Sequence, residues 1–165
     1  MARYRWTSES KVEIHATSSV HPIHGETNAV TGEAVVEVSG GAFVLDRPKS
    51  GYVEMPVDAL KSGNKLEDFE LRRRLDAKKY PTIRYDVKDV SGGPESFKLT
   101  GALTFHGVTR DFPEEATARI EGGVLYVEGE HTFNIEQWGV KAPKILKLQV
   151  YPDVRVVARL VGREG

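Results

Sequence analysis

The chain contains no cysteine among its 165 residues. This absence excludes disulfides, thiolate metal sites and catalysis by a cysteine nucleophile. Neither sign of charge dominates, because 23 Lys and Arg residues are balanced by 24 Asp and Glu residues, for a formal net charge of −1. Such a balance gives no electrostatic reason to expect nucleic acid or an anionic membrane as a partner of the whole protein.

Long apolar runs are missing as well. No segment approaches the roughly 20 apolar residues of a membrane-spanning helix, so stable membrane insertion is not expected. The first ten residues, MARYRWTSES, are polar and lack the apolar centre of a secretory signal, so we expect a cytoplasmic protein. The length favours one domain over residues 1–165, large enough to bury a core or enclose a cavity.

Motifs for catalysis and metal binding are equally scarce. The sequence has no G-x-S-x-G nucleophile elbow and no glycine-rich phosphate loop, so it predicts no catalytic residue and no cofactor. His21 and His24 in H-P-I-H are metal-ligand types, but two imidazoles need further donors. Pro22 also opposes a helix that would bring the two rings together. We interpret this segment as a polar loop and predict no metal site.

Strict alternation of apolar and polar residues is what the chain has in quantity. One parity of residues 97–105 carries Phe, Leu and Gly, and the other carries mainly Lys and Thr. This period of two is typical of a half-buried strand. His106-Gly107 follows, and both residues tolerate the positive φ of a two-residue, mirror-image hairpin turn. Residues 97–112 therefore predict a tight antiparallel hairpin with one apolar face.

The same alternation recurs along the chain, and the predicted fold class is mainly β. About eight one-faced strands must bury their apolar faces in a sandwich or a closed barrel, and runs of roughly ten residues favour a tall barrel. The one predicted helix spans residues 65–75, with the cations Arg72, Arg73 and Arg74 near its end, as suits the helix dipole. An eight-stranded barrel either fills its interior with side chains or holds one small ligand, and periodicity leaves both open.

The inward parity of the predicted strands is aliphatic and aromatic almost throughout, a composition that suits an apolar ligand. Burial of the tail of such a ligand contributes roughly 25 cal/mol per Å² of apolar area removed from water. The residues predicted to line the tail share this parity: Ile14, Val36, Met55, Tyr85, Leu103, Phe105 and Phe133.

Two polar residues on the same parity are candidates for contact with a head group. Arg110 falls opposite Leu103 if the turn has two residues, so its guanidinium would point inward near a barrel end and bind a phosphate or carboxylate. A bulge would instead turn Arg110 outward, and a structural salt bridge would explain it as well. His131 lies between Val127 and Phe133 on the apolar parity, so its ring either contacts a head group or is a satisfied core histidine, unless the register is shifted by one.

Three segments, in order and in register, resemble the YceI-like family of bacterial proteins. They read G-A-L-T-F-H-G-V-T-R at 101–110, L-D-A-K-K-Y-P-T-I-R-Y at 75–85, and N-I-E-Q-W-G-V-K at 134–141 followed by V-Y-P-D-V-R-V at 150–156. The resemblance covers roughly residues 10 to 160. It implies an extended, eight-stranded, antiparallel lipocalin-like barrel with a short helix near one end, and a polyisoprenoid such as a polyprenyl phosphate or a quinone inside it.

We therefore interpret the chain as a non-catalytic binding protein, a carrier or sequestering protein for a long apolar molecule. The expected ligand is a polyisoprenoid or quinone-like lipid held in the barrel interior. Two alternatives stay open at this point: a small-molecule enzyme that uses the same cavity, and a ligand-free interaction or stress-related module. The sequence also leaves open whether the protein forms a homodimer.

Overall fold

Antiparallel strands make up most of the chain in the computed structural model, which describes residues 1–19, 22–140, 144–145 and 148–165. Within these residues there are thirteen strands, one α-helix and two short 3-10 helices. The helix α1 spans Lys65–Arg74, and the 3-10 helices span Val57–Ala59 and Ile135–Trp138. The strands are β1 (Ala2–Trp6), β2 (Lys11–Ser18), β3 (Ile23–Thr27), β4 (Thr31–Val36), β5 (Val38–Ser39), β6 (Ala42–Phe43), β7 (Ser50–Pro56), β8 (Thr82–Gly92), β9 (Phe97–Phe105), β10 (Val108–Glu121), β11 (Val124–Asn134), β12 (Lys144–Ile145) and β13 (Leu148–Glu164).

The main sheet closes on itself. Its strands follow the order β1-β4-β7-β8-β9-β10-β11-β13, and β13 then pairs with β1 to complete the ring. Further along β13, the strand β2 takes the place of β1, and β3 pairs with β2 as β4 pairs with β1. Every pairing is antiparallel. The fold is therefore a closed, eight-stranded antiparallel barrel, and the predicted fold class is confirmed.

The predicted hairpin is present with the predicted register. Phe105 pairs with Val108 across the turn between β9 and β10. His106 and Gly107 both have positive φ, 54° and 71°, as a mirror-image turn requires. Gly107 also has no space for a side chain, because a Cβ there would lie 2.5 Å from the ring of Tyr80. Backbone conformation and close packing thus both favour glycine at this turn.

The helix α1 lies at the same end of the barrel as this turn. Asn64 caps it, since its side-chain oxygen accepts hydrogen bonds from the backbone N–H groups of Leu66 and Glu67 at 3.0 and 3.1 Å. Leu71 and Leu75 pack into the apolar cluster at this end of the barrel. The helix bounds agree with the predicted ones to within one residue. No helix in the described part of the chain combines the length and apolar character needed to cross a membrane.

An aromatic cluster fills this end of the barrel, which we call the helix end. Trp138 is 1% exposed, and its indole N–H donates to the carbonyl oxygen of Leu103 at 2.9 Å. The indole stacks on Phe105 at a ring distance of 5.2 Å. Phe112 and Phe133 meet it edge-on at 5.8 and 5.4 Å. Such edge-to-face and offset contacts add to the stabilisation from area burial, so the cluster closes the helix end with packed side chains.

Trp138→Ala is expected to destabilise the protein by about 3 to 5 kcal/mol, because it empties the centre of the aromatic cluster and removes a buried hydrogen bond. Urea unfolding followed by far-ultraviolet circular dichroism measures the change. Phe69→Ala is the control: Phe69 is 59% exposed on α1, and its removal should change the free energy of unfolding by less than about 0.5 kcal/mol. Equal effects of the two substitutions would contradict the closing role of the cluster.

Candidate ligand-binding cavity

The barrel encloses an apolar cavity of about 360 Å³. This volume falls within the range of small-molecule binding sites, roughly 300 to 1,000 Å³. All seven residues predicted to line a ligand tail line this cavity: Ile14, Val36, Met55, Tyr85, Leu103, Phe105 and Phe133. The barrel interior is therefore hollow, although contact of these residues with a ligand stays a prediction.

Tyr85 crosses the inner wall of the barrel. From β8 it passes over Gly101 on β9, where a Cβ would lie 2.8 Å from the tyrosine oxygen and 2.4 Å from the carbonyl oxygen of Asp86. The Tyr85 hydroxyl then donates to the carbonyl oxygen of Phe112 on β10 at 2.7 Å. Glycine at position 101 thus makes room for a phenol whose polar tip is satisfied inside the barrel.

Glu114 brings a carboxyl group into this apolar lining, and sequence reasoning missed it. The residue lines the cavity, and its Oε1 atom is buried without a hydrogen-bond partner among the described residues. Burial raises the pKa of Glu114 to about 7. Burial, with a smaller contribution from the negative charge of Glu114, raises the pKa of Tyr85 to about 12. The available signal was that Glu114 shares its parity with Phe112 and Ala116 on β10.

His131 lies beside Glu114 and lines the cavity, as its parity predicted. Its Nδ1 atom is 3.7 Å from Glu114 Oε1, and its ring meets Phe112 edge-on at 4.3 Å. The pair therefore places a carboxyl and an imidazole next to each other on the inner wall. Contact of His131 with a head group stays a prediction.

Arg110 does not line the cavity, and its predicted inward orientation is wrong. The register is as predicted, with Arg110 opposite Leu103. However, the side chain is exposed, its guanidinium donates to the carbonyl oxygen of Gln137 at 3.3 Å, and it lies 6.0 Å from the centre of the Trp138 ring. The reason is depth: Trp138 fills the barrel at this level, so the guanidinium extends over the indole into solvent.

A cluster of possible metal ligands lies away from the cavity, on β2 and β3. Ligand atoms of Glu13, His15 and His24 all lie within 4.8 Å of one another. His15 and His24 are paired across the two strands. Lys11 already forms ion pairs with Glu13 and Glu26 at 3.1 and 2.9 Å, and its hydrogen bonds hold the pKa of both carboxyls below their ordinary value. The two carboxylates therefore have a cationic partner from the protein itself.

The interpretation of residues 21–24 as a polar loop needs correction. Ile23 and His24 belong to β3, because they pair with β2. His21 lies outside the described residues. The absence of a metal site, which the sequence predicted, stays a prediction.

These features define a lipocalin-like protein, a closed antiparallel barrel around an apolar cavity. A model of the YceI-like domain matches residues 6–161, and the chain belongs to the YceI-like family. Among curated proteins, a sequence comparison finds no match.

Solved structures share this fold at low sequence identity. BcnA of Burkholderia cenocepacia is 19% identical with a TM-score of 0.78, over 93% of this chain and 96% of that one. A polyisoprenoid-binding domain from Saccharophagus degradans, implicated in plant cell wall breakdown, is 12% identical with a TM-score of 0.75, over 100% and 99%. The YceI protein of Campylobacter jejuni is 20% identical with a TM-score of 0.60, over 81% of each chain. At these identities the likeness shows the fold alone.

Glu114→Gln is expected to remove a pH-dependent loss of stability. The pKa of Glu114 rises from 4.5 to about 7 on folding, so between these values the native state holds a proton that the unfolded state releases. The free energy of unfolding of the wild-type protein therefore falls as the pH rises through this window, by up to about 3 kcal/mol from this group. Gln has no such proton to lose.

Urea unfolding of both proteins at about pH 5 and about pH 8 measures this effect. The stability of Glu114→Gln relative to wild type should be more favourable at the higher pH. Glu128→Gln is the matched control, since Glu128 is exposed on the neighbouring strand β11 and does not line the cavity. A relative stability of Glu114→Gln that is the same at both pH values would contradict the assignment.

Proposed function

We propose that the protein binds a long apolar molecule, a polyisoprenoid or quinone-like lipid, in the barrel interior and acts as a carrier or sequestering protein. The observation that carries this proposal is the 360 Å³ cavity, which lies inside a closed barrel and has an almost wholly apolar lining. Membership of the YceI-like family supports a lipid or isoprenoid ligand. The fold shared with the polyisoprenoid-binding domain of Saccharophagus degradans supports it as well.

The cavity suits a chain-like ligand because its lining is continuous along the barrel. Lining residues run from Phe97 and Leu125, near the end opposite α1, to Leu71 and Leu75 beside the helix. Each buried methylene group contributes about 0.8 kcal/mol, a factor of roughly four in affinity. Affinity is therefore expected to rise with prenyl chain length until the cavity is full.

A non-catalytic role fits the chemistry of the lining better than an enzymatic one. The Tyr85 hydroxyl already donates to a main-chain carbonyl, so it is engaged in structure. Glu114 and His131 are residue types that acid-base catalysis uses, and they keep an enzyme as the second candidate. The two functions differ in one outcome: a carrier returns its lipid chemically unchanged after incubation, and an enzyme does not.

Ala118→Phe is expected to reduce the bound lipid at least tenfold, because Ala118 lines the cavity and the larger ring fills it. Organic extraction of the purified protein with mass spectrometry, alongside native mass spectrometry, measures lipid stoichiometry. The matched control is Thr117→Phe, which adds a similar ring at an exposed position next along β10. Circular dichroism checks that both variants fold.

The wild-type protein should carry a stoichiometric prenyl lipid or take one up when geranylgeraniol is supplied. Repeated purifications without lipid, together with no uptake of geranylgeraniol or a prenylated quinone, would overturn the proposal. Equal lipid content in Ala118→Phe and Thr117→Phe would place the bound lipid outside the barrel.

A further inference from the structure

Glu114 is a carboxyl group whose burial the apolar cavity does not explain. Its Oε1 atom lies in the lining, buried and without a hydrogen-bond partner among the described residues. Nδ1 of His131 is 3.7 Å away, which is beyond hydrogen-bond distance. A buried carboxyl oxygen without a partner is costly, and a bound group that forms a hydrogen bond to it would remove this penalty.

The charged and titratable groups around this carboxyl do not supply a permanent positive charge. His131 faces it from β11, and the Tyr85 hydroxyl acts on it from β8. On β10 itself, the neighbouring Glu115 contributes a negative charge and a backbone hydrogen bond. Among the described residues, no lysine or arginine forms an ion pair with Glu114. Arg110, on the same parity of β10, donates instead to a carbonyl at the helix end.

We propose that Glu114 and His131 form the point at which the cavity recognises an uncharged oxygen-bearing group of the ligand, a hydroxyl or a carbonyl, and that they disfavour a phosphate or carboxylate there. A carboxylate in a medium of low dielectric constant strongly repels a second anion. A ligand hydroxyl can donate to the carboxylate, and a ligand carbonyl can accept from the protonated carboxyl or from an imidazole N–H. This inference rests on the proposed function and narrows it to prenyl alcohols and quinones over prenyl phosphates.

The protonation of Glu114 adds a pH dependence to this recognition. Burial raises the pKa of Glu114 to about 7, so its protonated form is abundant near neutral pH. Only that form can donate a hydrogen bond to a quinone carbonyl. Quinone affinity is therefore expected to fall between about pH 6 and about pH 8, whereas alcohol affinity changes less because a hydroxyl can donate to the ionised carboxylate.

Displacement of the neutral fluorophore N-phenyl-1-naphthylamine tests the inference. Four competitors share one geranylgeranyl tail: the free alcohol, a quinone conjugate, the monophosphate and the hydrocarbon without a head group. We expect the alcohol and the quinone to bind at least about tenfold more tightly than the monophosphate, because of the repulsion at Glu114. Glu114→Gln should reduce this ratio to within about threefold, since it removes the charge and keeps the shape.

Two further variants keep the test sharp. His131→Gln is expected to weaken the preference for the quinone over the hydrocarbon while Glu114 still disfavours the phosphate. Glu128→Gln, which removes a charge from the exposed side of β11, should leave every ratio at the wild-type value.

The outcomes separate this inference from the proposed function. If all four competitors bind equally well, or if Glu114→Gln leaves the ratio of alcohol to phosphate unchanged, the recognition point is wrong and the proposed function stands. If the monophosphate binds wild type most tightly, the inference is likewise overturned. If none of the four displaces the fluorophore, both the inference and the proposed function fail.

Discussion

The main-chain hydrogen bonds between β1 and β13 are the interaction on which the rest of this structure depends. They hold Tyr4 opposite Glu164 and Trp6 opposite Gly162, and they turn an eight-stranded sheet into a ring. In an open sheet, the apolar side of each strand would need a second layer to cover it. In the ring, each apolar side faces other strands and space is left between them. The cavity is therefore a product of closure rather than of any single lining residue.

The aromatic cluster at the helix end decides which polar groups share that space. Trp138 fills the barrel at the level of Arg110, so the guanidinium lies in solvent. Glu114 is four residues further along the same strand and lies below the cluster, in the lining of the cavity. The result is an interior whose acidic group has no arginine beside it. A head-group preference inferred from Arg110 would therefore have the wrong sign.

Local patterns predicted the wall of the barrel, because the side to which a strand residue points is set by its immediate neighbours. Leu103 and Phe105 line the cavity for that reason, and the two positive φ angles of the turn follow from His106-Gly107. Depth along the barrel axis is not a local property, so parity misplaced Arg110. The carboxyl of Glu114 was missed because acidic residues were assigned to solvent.

Closure through β1 and β13 joins strands from opposite ends of the sequence, and this has a consequence for how the protein folds. The entropy of bringing such distant segments together must be offset before their hydrogen bonds form, so barrels of this kind fold in roughly milliseconds to seconds. Until β13 docks, β1, β2 and β11 each lack one neighbour. Unpaired strand edges of that kind promote association between chains. The docking of one strand thus separates a soluble barrel from an aggregation-prone open sheet.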